Sequence, residues 1–288
     1  MKPAAADPTA LPLRRGPAHA LQALQAIVLR EVIKFSQQTG RLISALVRPL
    51  LWLAVFAAGF RNVFGVAIVE PYDTYIPYDV YIVPGLVGMV LLFNGMQSSL
   101  AMVYDREMGL MRLLLTAPLP RPWLLFCKLC ATALLSVLQA LAFVAVAMLI
   151  GTDLPVFTLG GLYALVALCG GALMLGALGL LLSVYIKQLE NFAGTMNFVI
   201  FPMYFMSTAL YPLWKLQESG ADWVYQVSRF NPFTQAIEWM RFALYGKDPG
   251  AAPYVVIGCL VVFFVIACWG YDPQRGFGGL TKRGGGGG

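Results

Sequence analysis

Charge is what this sequence has least of. Only 12% of its 288 residues are Asp, Glu, Lys or Arg, while 59% are hydrophobic. A soluble domain carries about 25% charged residues. Histidine occurs once, as His19, so His-based ligand sets are excluded and most acid–base active-site designs are disfavoured. The five cysteines form no even, closely spaced disulfide framework. Cys127 and Cys130 make a C-x-x-C in an apolar stretch with no second pair and no nearby His, which reads as packing. No G-x-x-x-x-G-K-[ST] phosphate loop occurs, so the chain is not expected to hydrolyse nucleotide itself. Residues 1–18 contain no apolar core of the signal-peptide kind. Residues 1–17 read as a Pro/Ala tail, and 273–288 as a flexible Gly-rich tail.

What the chain does have is long apolar runs, each able to cross about 30 Å of hydrocarbon as a helix. Six spans are predicted, at 46–64, 82–103, 123–150, 158–184, 191–213 and 252–270. Residues 18–40 precede them as an amphipathic helix with Leu21, Leu24, Val28, Val32 and Phe35 on one face. Too polar to span, it is expected to lie in the membrane interface. With the N-terminus cytoplasmic, fifteen of the twenty Lys and Arg residues fall inside, Arg48 among them. The positive-inside rule favours that orientation. The net charge of +6 then needs no nucleic acid to explain it. The predicted fold class is an all-α polytopic membrane protein, with residues 18–272 as one domain.

Residues 222–246 hold polar and apolar residues together. Asn231 can cap a helix with Pro232 at its first position, and Gly246 can end it. A helix over 232–245 is about 21 Å long, too short to span. Glu238 and Arg241 can pair across it, so it is expected to be a short re-entrant helix on the outer side. Inside the spans the polar residues are mostly uncharged, with no charge expected near mid-membrane. Asn94, Gln97 and Ser98 share one helical face, and so do Asn197, Phe201, Tyr204, Thr208 and Tyr211. Such residues act as interhelical glue or line a translocation path for an amphiphilic substrate, and both readings stay open here.

The stretch "YDREMGLMRLLLTAPLPRPW" at 104–123 interrupts this pattern. Asp105 is a fair N-cap, and Glu107 sits where a helix dipole favours an acid. Pro118, Pro120 and Pro122 forbid continuation. The result is a short cytoplasmic helix over 105–117 with a stiff exit, clamped between two spans. A rigid helix so placed can transmit force from a partner.

The run "REMGLMRLLLTAPLPRPWLLFCK" resembles the cytoplasmic signature of type-2 ABC transporter permeases, through Glu107, Gly109, Leu113, Thr116, Pro118 and Lys128. Leu110 stands where that family more often has Thr. "YIVPGL" at 81–86, "FPMYFMSTALYPL" at 201–213 and "NPFTQAIEWMRFALYG" at 231–246 resemble further family segments. The likeness covers roughly residues 20–270. It implies six spans, an interfacial helix and short outer helices before the last span. It also implies a pair of permease copies, most simply a homodimer, above two copies of a separate ABC ATPase subunit that carries ATP–Mg.

On this resemblance the loop at 105–118 is the coupling helix. Asp105, Arg106, Glu107, Gly109, Met111, Arg112 and Leu115 are its candidate contacts, with Glu107 and Arg112 foremost and Gly109 allowing close backbone approach. Lys187 and Glu190, in the turn "YIKQLEN", are a second contact. The chain itself would hold no cofactor or metal, would export a small amphiphile or glycolipid, and would sit in a bacterial inner membrane with both termini cytoplasmic. The alternative is an ion-coupled carrier or channel working without an ATPase. A lipid-modifying enzyme is a third reading, disfavoured by the single His.

Overall fold

The structure, a computed structural model, describes residues 16–37, 39–60, 71–108, 120–186, 188–218 and 220–271. Ten helices are present among them: α1 Pro17–Gln37, α2 Thr39–Phe60, α3 Tyr78–Glu107, α4 Arg121–Leu149, α5 Leu159–Tyr185, α6 Leu189–Phe205, α7 Leu213–Glu218, α8 Asp222–Phe230, α9 Pro232–Leu244 and α10 Ala252–Gly270. Four of these, α3, α4, α5 and α10, are long and apolar enough to cross a membrane. The molecule is an all-α, multi-pass membrane protein.

Helix α5 occupies the centre, packed on α3, α4, α9 and α10. Its small residues explain this position. Gly171, Ala172, Gly176, Ala177 and Gly179 are all buried, and such residues let helix backbones approach where lipid supplies no hydrophobic drive. Helix α10 is apolar all round, yet only Ala252, Val256 and Ala267 are buried. Its remaining surface, with Ile257, Val261, Val262 and Val265 exposed, needs a nonpolar solvent. Tyr254 and Trp269 project from its two ends, where amphipathic rings favour the headgroup level.

Helix α1 matches the expected amphipathic segment. Phe35 is buried and Val28 and Val32 are half-buried, but Leu21, Leu29 and Ile33 are exposed, leaving a second apolar stripe for lipid. Helix α2 starts at Thr39, earlier than the expected span, and its strongly apolar part is Leu46–Phe56.

Two expectations need correction. Asp105 caps no new helix, because α3 continues unbroken through Glu107. The span expected at 191–213 ends as a helix at Phe205, after 17 residues, or about 25 Å. Residues 206–212 are irregular. Pro202, inside α6, contributes no backbone N–H, and past it the carbonyls of Met203, Met206, Thr208 and Leu210 are taken up by the tertiary contacts described next.

Candidate functional site

At the end of the bundle where α6 breaks, side chains of α3 and of α9 with its cap take up the carbonyls at and beyond the break. Tyr78 Oη donates to Leu210 O at 2.6 Å and Tyr81 Oη to Thr208 O at 3.1 Å. Asn231 Nδ2 donates to both Met203 O and Met206 O at 2.8 Å, while its Oδ1 accepts from Phe233 N and caps α9. Arg241 Nη2 donates to Thr208 O at 2.9 Å, and Nη1 meets Glu238 Oε1 at 2.5 Å. The Arg241 guanidinium also lies 4.2 Å from the Tyr81 ring centre. Irregular backbone at membrane depth is tolerated only when protein satisfies it. Here α3 and α9 do so, and α6, α9 and α3 become one unit. Pro232 occupies the first turn of α9, and Gly246 follows it with φ +66°, as the sequence indicated.

At the opposite end, α3 runs out at Glu107 and α4 begins at Arg121 after Pro120. Glu107 and Met108 are exposed there. Asp105 is not: it is 3% exposed, with Oδ2 3.6 Å from Lys128 Nζ on α4 and Oδ1 3.9 Å from Lys34 Nζ on α1. Trp123 Nε1 donates to Ala20 O at 3.1 Å, a second tie between α1 and α4. Asp105 is therefore an internal anchor that fixes the interfacial helix to the base of the loop, not a free contact residue. Replacing Asp105 with Asn should strand the buried Lys128 charge and cost about 2 kcal/mol. Thermal unfolding in neutral micelles would show it, and an unchanged midpoint would overturn it. Glu190, in the first turn of α6, is exposed. Gly109, Met111, Arg112, Leu115 and Lys187 lie outside the described residues, as does the side chain of Arg106.

Between the two ends, the polar residues expected on one face divide. Asn94 Nδ2 donates to Gln139 Oε1, and Ser98 Oγ lies 2.6 Å from Thr132 Oγ1. These two stitch α3 to α4 as glue. Tyr204 and Thr208 are each 1% exposed, sealed in the core, and Tyr211 lies beyond the end of α6, with its Oη donating to Phe205 O. Asn197 and Phe201, by contrast, are exposed along α6, and Gln97 is half-buried.

Arg48, on α2, joins them. Arg48 stands with its guanidinium 4.0 Å from the centre of the Phe93 ring, in a narrow recess between α2 and α3 that Asn94 and Gln97 also line. Phe93 lies halfway along α3. Arg48, two residues into the apolar part of α2, thus reaches the level of the middle of α3. The signal was there in sequence, an Arg just inside a predicted span, but hydropathy does not say how deep a helix starts.

Residues 22–245 match the ABC-2 type transporter family. A protein named "Putative transport permease ycf38" from Cyanophora paradoxa is 30% identical over 228 residues, covering 77% of this chain and 74% of its own length. Proteins of the same name from Porphyra purpurea and Pyropia yezoensis are 28% identical over 233 residues and 27% over 227. Those matches cover 79% and 77% of this chain, and 76% and 74% of the relatives. With a family match across most of its length and helices that need lipid around them, the chain belongs to the ABC-2 type transporter family as a membrane-embedded transport subunit.

Proposed function

We propose that this chain is the transmembrane subunit of an ATP-driven exporter, with six spans and both termini cytoplasmic, in a bacterial plasma membrane. Helices α2 and α6 supply the two spans beyond the four long apolar helices. Two copies of the chain form the path, and two copies of a separate ABC ATPase bind beneath and hold ATP–Mg. The observation that carries this reading is the family match together with the absence of a phosphate loop from the sequence. The energy for uphill movement must then come from another subunit.

In this reading the segment that follows the exposed Glu107 and Met108 enters the ATPase. Arg106, Glu107, Gly109, Met111, Arg112 and Leu115 form the main contact, and Lys187 with Glu190 a smaller one. Asp105, held by Lys34 and Lys128, keeps the base of that contact rigid so that motion passes into α3 and α4. Gln97, Asn197 and Phe201 face the path, which takes an amphiphilic small molecule or glycolipid.

Co-purification with the ATPase tests the proposal. Changing Glu107 and Arg112 together to Ala should weaken the complex by about tenfold or more, because interface energy concentrates in few residues. Coupled ATP hydrolysis should fall in step. If assembly and coupled hydrolysis both persist unchanged, this segment is not the contact. Substrate movement by the chain alone in liposomes would favour a carrier instead.

A further inference from the structure

Arg48 is the charge whose depth needs explaining. Two rulers place it. It lies nine residues along α2 from Thr39, about 14 Å at the helical rise. Its ring partner Phe93 lies twelve residues along α3 from Asp105, about 18 Å by the same measure. Both starting points belong to the inner end, where α1 is tied down through Lys34. The guanidinium thus stands level with the middle of α3, although Arg48 itself lies only two residues into the apolar part of α2, Leu46–Phe56. Arginine keeps its proton under all physiological conditions, so this is a fixed positive charge and not a proton relay. Among the described residues no carboxylate lies within ion-pair distance of it. The recess around it is lined by the Phe93 ring, Ser44, Met89, Val90 and the amides of Gln97 and of Asn94, whose Nδ2 is given to Gln139. An intramembrane charge of this kind is costly and marks an ion or substrate route.

We propose that Arg48, with Gln97 beside it, is the recognition point for an anionic group of the phosphate or carboxylate class, carried on an apolar body. This rests on the reading of the chain as a transport path. Bilayer phospholipids keep their headgroups at the surface, so an anion reaches this depth only as cargo. The ring of Phe93 holds the guanidinium by a cation–π contact, and the anion replaces that weaker partner with charge-assisted bonds.

The test uses the full chain in dodecyl maltoside micelles, so that no ATPase is needed. Dodecyl phosphate should raise the unfolding temperature saturably, since a ligand bound only to the folded state stabilises it. Inorganic phosphate and dodecyltrimethylammonium should not. Arg48→Gln should weaken the apparent affinity by about tenfold or more, whereas Arg48→Lys keeps most of it, and Arg121→Gln, at the exposed start of α4, keeps all of it. Gln97→Glu offers a second route should Arg48→Gln fold poorly. It gives Arg48 a resident carboxylate and should abolish the dodecyl phosphate effect while leaving the fold intact.

No saturable stabilisation of the wild type overturns the proposal. So does equal stabilisation of the wild type and either the Arg48→Gln or the Gln97→Glu variant. An equal response to inorganic phosphate overturns the amphiphile class. None of these outcomes bears on assembly with the ATPase, which the co-purification experiment decides separately.

Discussion

Replacing Arg241 with Leu should cost about 3–5 kcal/mol, the penalty for breaking a buried ion pair from one side. Arg241 is 2% exposed and serves three partners at once: Glu238 Oε1, Thr208 O and the face of Tyr81. Leucine fills the space but strands a carboxylate and a carbonyl where α6 breaks. Lysine should rescue little, because an ammonium cannot reproduce the planar fork that reaches Glu238 and Thr208 together. The double variant Arg241→Leu with Glu238→Leu should lose less than Arg241→Leu alone, because no unpaired charge remains. Thermal unfolding of the wild type, Arg241→Leu, Arg241→Lys, Glu238→Leu and the double variant in neutral-lipid nanodiscs gives the comparison. If the double variant is as unstable as the sum of the two single ones, the stranded charge is not what the single variant suffers from.

The second large effect is expected at the crossing of α3 and α5. A Cβ placed on Gly179 would stand 2.6 Å from Gly95 O and 2.5 Å from Ser99 Oγ, and one on Gly95 would stand 2.9 Å from Leu175 O. The obstacles are mainly backbone, so they cannot rotate away. Gly179→Val must therefore push the two central helices apart, at a cost of about 3 kcal/mol, the upper end for overpacking. Gly258, on the lipid-facing α10, has open space around its Cβ position. Gly258→Ala should be neutral or stabilising by up to about 1 kcal/mol from helix propensity. Opposite signs at the two glycines are the expected result of parallel melts. A small effect at Gly179 would mean that the crossing has slack.

These two sites differ in how visible they were in the sequence. The Glu238–Arg241 pair, the Asn231 cap and the Pro232 start follow from local spacing, which a helix fixes whatever surrounds it. What Arg241 is for does not follow. Thr208 lies 33 positions earlier, and nothing local shows that α6 stops at Phe205 and needs its carbonyls satisfied. Gly179 sits in a run of small residues that pointed to close packing, but only the crossing identifies Gly95 as its counterpart.

The sequence by itself determined the solvent of this protein, its helical class, its family resemblance and the position of the charged loop between two apolar runs. Each of these depends on composition or on spacing within one segment. Only the tertiary structure decided that Asp105 is an anchor between Lys34 and Lys128, that Asn94 and Ser98 bond to α4, and that Arg48 meets Phe93 halfway along α3. Those outcomes depend on the rotation and starting depth of each helix relative to its neighbours. Packing against other helices sets both quantities, and the hydropathy of a single run contains neither.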